Sequence, residues 1–108
     1  MMEVSNSCDL ESQLKRCKRV LALFYASWCP YCRSFLPVFN KISSKQSVDL
    51  AVRVKLDDYD NPLWEEYSIE AVPSVILFEA GTVRRRLNGR FGYGLSEKQF
   101  AEWLEEKS

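Results

Sequence analysis

From Val20 to Ala26 the chain reads Val-Leu-Ala-Leu-Phe-Tyr-Ala, with no charge and no turn residue. The run is too short to cross a membrane and lacks the 3.6-residue rhythm of a half-exposed helix. It fits a strand covered on both faces, as at the centre of a sheet flanked by helices. Trp28-Cys29-Pro30-Tyr31-Cys32 follows, and then Phe35, Val38, Phe39 and Ile42 recur at helical spacing, with Pro37 expected to kink that helix. A buried strand therefore runs almost directly into a helix, with two cysteines at the junction.

That junction has a chemistry of its own. The first N–H groups of a helix lack internal partners and carry the positive end of the helix dipole. A thiolate at Cys29 is favoured there over the thiol, which makes its sulfur the reactive one. Cys32 lies three residues on, on the same face, about 5–6 Å away between Cβ atoms. It can attack a mixed disulfide formed at Cys29 and release the partner reduced. The pair reads as a two-electron switch between dithiol and disulfide.

The remaining segments arrange themselves around this strand. Residues 1–6 form either a short edge strand or a loose tail. Leu10, Leu14 and Cys17 share one helical face, so the pattern predicts a helix over Asp9 to Lys18, with Glu11 and Lys15 as an i,i+4 pair. Leu50 to Leu56 alternates as a strand, with Leu50, Val52, Val54 and Leu56 on one face. After the polar loop Asp57 to Asn61, Asn61-Pro62 reads as an N-cap and first helical residue, opening a short helix through about Tyr67. Val75 to Phe78 is a second buried strand. Ala80-Gly81 turns the chain back into Thr82 to Leu87, and Asn88, Gly89, Gly92 and Gly94 form a loop. Ser96 and Gln99 make a capping box for a last helix, with Leu95 and Phe100 as its staple and Phe100, Trp103 and Leu104 as its buried stripe. The order, (β)αβαβαββα, is that of one α/β domain over residues 1–108, with right-handed parallel crossovers closed by a hairpin.

Composition removes several functions. The chain has 108 residues, no histidine, and 15 basic against 15 acidic residues. Balanced charge gives no reason to bind nucleic acid or an anionic membrane. Without histidine there is no Cys-His nucleophile and no common metal ligand beside the two cysteines. The four cysteines are too few for a disulfide framework. Residues 1–18 are polar and do not read as a signal peptide, and Lys15 to Ala26 starts too late and is too short to be one. The expectation is a soluble monomer of a reducing compartment, the cytoplasm, where C-x-x-C is redox-active rather than structural.

These residues carry a resemblance. Trp28-Cys29-Pro30-Tyr31-Cys32 at a strand end resembles the thioredoxin active site. Pro37 in the next helix, Lys55 in the next strand, Asp57 to Pro62, and Val72-Pro73-Ser74 before an apolar strand match the same family, over roughly residues 8–107. The resemblance implies a thioredoxin fold: a three-layer α/β/α domain on a mixed sheet of four strands, or five if residues 1–6 join it. It implies thiol–disulfide exchange, with Cys29 as attacking and Cys32 as resolving cysteine. It also implies a cis Val72–Pro73 bond, and a substrate held by Trp28, Pro30, Tyr31, Val72 and Pro73, with an extended segment paired to the Val72 backbone. No cofactor is needed within the chain. The partners implied are disulfide-containing proteins and a separate reductase or small thiol that supplies electrons.

The sequence also departs from the family. Pro30-Tyr31 replaces the usual Gly-Pro and resembles the glutaredoxin motif, yet the downstream Gly-Gly and acidic signature of glutaredoxins is absent, with Leu95 and Ser96 in its place. Leu23 stands where thioredoxins bury an acid beneath the second cysteine. The loop before the last helix is longer, so Gly89, Gly92 and Gly94 all compete for the place of the family's glycine beside the site.

Other residues have plainer readings. Cys8 and Cys17, about 13 Å apart along a helix axis, cannot bridge; Cys17 reads as a small core residue and Cys8 as incidental. Arg84, Arg85, Arg86 and Arg90 read as guards of an edge strand rather than a binding patch. Trp64 and Trp103 read as core, whereas Trp28 is placed to shield a reactive cysteine and meet a partner. Lys55 is either a solvated strand residue or a helper of the thiolate. Two other functions compete with disulfide reduction: a binding module that keeps the fold without turnover, and an oxidase or isomerase in a secreted setting.

Overall fold

The computed structural model describes residues 2–90 and 92–106. Its elements, in chain order, are β1 (Met2–Val4), α1 (Ser7–Arg16), β2 (Arg19–Tyr25), α2 (Pro30–Ser43), β3 (Leu50–Lys55), α3 (Leu63–Glu66), β4 (Ser74–Glu79), β5 (Thr82–Leu87) and α4 (Glu97–Glu105). The sheet order is β1-β3-β2-β4-β5. β1, β3 and β2 run parallel, whereas β4 pairs antiparallel with both β2 and β5. Met2 to Val4 pair with Val52 to Val54, so this part of residues 1–6 is an edge strand and the sheet has five strands; Met1 lies outside the described residues.

β2 is central, and alternation along it sorts the core into two halves. Val20, Ala22 and Phe24 pack with Val52, Val54, Ile76 and Phe78 under α1 and α3. Leu21, Leu23 and Tyr25 pack with Phe35, Phe39, Phe100 and Trp103 of α2 and α4. Each fully buried Leu or Phe contributes about 1.5–3 kcal/mol relative to exposure. With both faces covered, the run from Val20 to Ala26 has no polar side, which is why it reads as continuous rather than alternating.

Helix ends follow side-chain hydrogen bonds. α1 begins at Ser7, two residues before the expected Asp9, because Asn6 Oδ1 accepts the Asp9 N–H at 2.8 Å. It ends at Arg16, and Cys17 is its C-cap, packed against the core as expected, while Cys8 is exposed. At α3 the N-cap is Pro62, without a side-chain capping bond, and not the expected Asn61, whose side chain accepts the Leu63 N–H at 3.0 Å from one residue further out; the helix therefore starts one residue later and stops at Glu66, short of Tyr67. α2 continues through Pro37 to Ser43. α4 has its capping box: Ser96 Oγ accepts the Gln99 N–H at 3.1 Å, and Gln99 Oε1 accepts the Ser96 N–H at 2.9 Å.

The arginines of the β5 edge are individually engaged. Arg84 lies 3.8 Å from Glu79. Arg85 covers the Trp103 ring at 4.6 Å and donates to Glu106 at 2.8 Å. Arg86 donates to Ser68 O and Asn88 Oδ1. Arg90 sits 5.3 Å over Tyr93. Arg84, Arg85 and Arg86 thus tie β5 to β4, to α4 and to the loops beside it.

Candidate active site

Cys29 is the N-cap of α2. Its Sγ accepts the Cys32 N–H at 3.3 Å, one of the otherwise unpartnered donors of the first turn. Pro30 at the first helical position has no N–H to leave unsatisfied, and its ring favours the helical φ. The Cys29 thiol is 5% exposed and lies 3.7 Å from Val72 O. Cys32 is fully buried one turn in, and its Sγ accepts the Ala26 N–H at 3.5 Å. Burial pushes the Cys32 thiol far above its ordinary value, outweighing that hydrogen bond. Leu23 is fully buried in the same apolar cluster as Cys32, which accounts for the dryness around it. Both thiols are free.

The Val72–Pro73 bond is cis. Two neighbours hold this loop beside Cys29. Ser74 Oγ donates to Ala71 O at 2.7 Å and accepts the Gly89 N–H at 3.1 Å, tying the loop to the segment after β5. A Cβ on Gly89 would lie 2.0 Å from Pro73 O, so only glycine admits this approach. The competing glycines divide three tasks: Gly89 abuts Pro73, Gly92 O accepts the Tyr31 hydroxyl at 2.7 Å, and Gly94 packs under the Tyr31 ring.

Trp28 and Tyr31 flank the cysteines, each 44% exposed. The Trp28 indole donates to Asp57 O at 2.9 Å. The Asp57 carboxylate accepts the Ser27 N–H at 2.7 Å and its hydroxyl at 2.5 Å. Burial alone would raise the Asp57 carboxyl, but those hydrogen bonds and Lys55, 3.6 Å away, outweigh it and hold it below its ordinary value. Lys55 is therefore the partner of Asp57. Sequence reasoning missed Asp57 and Ser74 as residues that hold the site; both sit beside recognised positions, but nothing in a linear pattern shows whom they contact.

A cavity of about 320 Å³ opens beside Cys29, between Trp28, Tyr31, Tyr59, Trp64, Glu70 and Val72. Tyr59 lies 5.2 Å from the Trp28 ring and stacks on Trp64 at 5.5 Å. Trp103 is core as expected, but Trp64 is only partly so: it packs against the core on one side and forms cavity wall on the other, its indole N–H held by Asp58 O at 3.0 Å. Across the sheet, the buried Tyr25 hydroxyl donates to Glu3, and burial pushes that phenol up. Among the described residues, no three Cys, Asp or Glu side chains cluster as a metal site, and no helix is long and apolar enough to cross a membrane.

Comparison with known proteins agrees with this geometry. The thioredoxin family model matches residues 2–106. A thioredoxin of Mycoplasmoides gallisepticum is 32% identical over 81 residues, covering 75% of this chain and 80% of that protein. Bovine protein disulfide-isomerase A5 is 30% identical over 109 aligned positions, covering 97% of this chain but only 20% of that much longer protein. Among solved structures, a Schistosoma mansoni thioredoxin superimposes with a TM-score of 0.79 at 26% identity, covering 96% of this chain and 92% of that one. The chain belongs to the thioredoxin family of thiol–disulfide oxidoreductases, with Cys29 and Cys32 as its C-x-x-C pair.

Proposed function

We propose that this domain reduces disulfides in other proteins, with Cys29 as the attacking and Cys32 as the resolving thiol. The observation that carries this is the position of Cys29 Sγ: capping α2, accepting the Cys32 N–H, and 3.7 Å from the Val72 carbonyl. An extended substrate pairs with the Val72 backbone as an added strand, which brings its disulfide onto Cys29. Trp28, Pro30, Tyr31 and Pro73 wall that position.

The Cys29 thiolate attacks one substrate sulfur. A Cys29–substrate bond forms, the substrate disulfide breaks, and the first substrate thiolate leaves and takes a proton from water. Cys32 then gives up its proton and attacks Cys29 Sγ. The Cys29–Cys32 disulfide forms and the second substrate thiol departs. Two electrons pass from the domain to the substrate. Leu23 provides no base beneath Cys32, so the Cys32 proton goes to water or to the departing thiolate. A separate reductase or a small thiol restores the dithiol. The reading includes a monomer working in the cytoplasm, where the thiol pool keeps the pair reduced.

The test is insulin disulfide reduction with dithiothreitol as electron source. Turnover by the wild type, loss in Cys29→Ser, and a trapped mixed disulfide in Cys32→Ser are expected. A folded wild type without turnover would instead mark a binding module.

A further inference from the structure

The cavity beside Cys29 has a composition that a purely apolar groove would lack. Four of its lining residues, Trp28, Tyr31, Tyr59 and Trp64, are aromatic, and hydrogen bonds fix the two indoles. Trp28 and Trp64 donate their indole N–H groups to the backbone carbonyls of Asp57 and Asp58, and Tyr59 lies between the two rings. Ring faces attract cations through the negative face of the quadrupole. The only charged side chain lining the cavity among the described residues is Glu70.

Glu70 has no ion-pair partner among the described residues. Arg86 lines an adjoining depression with it, but donates to Ser68 O at 3.1 Å and Asn88 Oδ1 at 2.9 Å and makes no ion pair with Glu70. Lys55 is held by Asp57, and Arg90 lies over Tyr93. An apolar side chain entering here would leave the Glu70 carboxylate unneutralised; a planar cation would meet aromatic walls and that carboxylate.

We infer that the Trp28–Tyr59–Trp64 cavity, with Glu70 at its rim, selects protein substrates that carry an arginine next to the cysteine to be reduced. The inference rests on the reductase reading above. The guanidinium lies against the aromatic walls and pairs with Glu70, while the adjacent substrate cysteine reaches Cys29, which borders the same cavity.

The experiment compares two peptide disulfides identical except that the reducible cysteine is flanked by arginine or by citrulline, its neutral isostere. Reduction is followed at low ionic strength and kcat/KM is taken for each. Insulin reduction by the same wild-type preparation reports the reductase reading separately. An exposed cation–π contact combined with a surface ion pair should favour the arginine peptide about fivefold. Glu70→Gln should cut that ratio by half or more, 0.5 M salt should do the same, and Glu70→Arg should bring the ratio below one. Insulin turnover with equal kcat/KM for the two peptides would overturn the inference while leaving the reductase reading intact. A preference for arginine that is unchanged in Glu70→Arg would also overturn it.

Discussion

Leu23 is the position where this chain departs furthest from the chemistry expected under a resolving cysteine, and Leu23→Asp tests that departure directly. Leu23 is fully buried on the central strand, paired to Arg53 on one side and Val75 on the other, in the cluster that contains Cys32. Truncating such a leucine costs about 2–5 kcal/mol, and a buried carboxyl without a partner adds about 1–3 kcal/mol. Arg53 and Lys55 share this side of the sheet, but Arg53 lies 3.7 Å from Glu3 and Lys55 is engaged by Asp57. The sum, about 4 kcal/mol or more, corresponds to a fall in Tm of roughly 15–20 °C for a domain of this size. The sign with pH follows from the dry site. A carboxyl there has a folded pKa above its unfolded value of about 3.9, so the folded state holds a proton that the unfolded state loses. The penalty therefore grows from about pH 4 upward, by up to about 1.4 kcal/mol per pH unit, until the folded pKa is passed. Leu23→Asn has nearly the same shape and no titration, so the two variants should melt close together at pH 4 and diverge by pH 7. Rapid-quench kinetics should find the attack by Cys29 nearly unchanged and the release step altered, since only release needs a proton from Cys32. A Leu23→Asp protein that melts within about 3 °C of the wild type at pH 7 would refute the reasoning. So would release that is equally fast in both, because residue 23 would then not lie beneath Cys32.

Gly89→Ala should lower Tm by about 4–12 °C, since the new Cβ overlaps Pro73 O, and should cut insulin turnover at least tenfold by displacing Val72 from Cys29; Gly81→Ala, at a φ of +80° with open space around it, should cost stability alone. Iodoacetamide at pH 7 should label reduced Cys29 at least about tenfold faster than Cys32, because Cys32 is fully buried with its thiol pushed up; mass spectrometry of the tryptic peptides reads the outcome, and equal labelling would reverse the assignment. Stability of the reduced protein should fall as pH rises past about 9, because unfolding frees a Cys32 thiol that then ionises while the folded state keeps its proton. Urea melts between pH 8 and 9.5 should show a steeper slope in the reduced wild type than in reduced Cys32→Ala, where only the phenols of Tyr25 and Tyr67, both raised by burial, still contribute.

The sequence by itself determined the scaffold and the reactive pair. Val20 to Ala26 reads as a strand covered on both faces because it has no polar side, and Cys29 at its end as the cap of the helix that follows, because a cap contacts only the next few residues. The capping box at Ser96 and Gln99 was equally legible for the same reason. Helix boundaries were less so: Asn6 caps α1 four residues before Leu10, where the apolar pattern becomes visible, since a cap is a polar side chain that precedes the pattern it serves. The surroundings of the site were decided by the tertiary structure alone. Gly89 meets Pro73 and Tyr59 meets Trp28 across long stretches of chain, and Lys55 could be assigned to Asp57 only once the turn after β3 was folded. A linear pattern records which faces are apolar and where the backbone can turn. It does not record which distant side chains the closed sheet brings within reach, and the walls of the cavity beside Cys29 are made of such side chains.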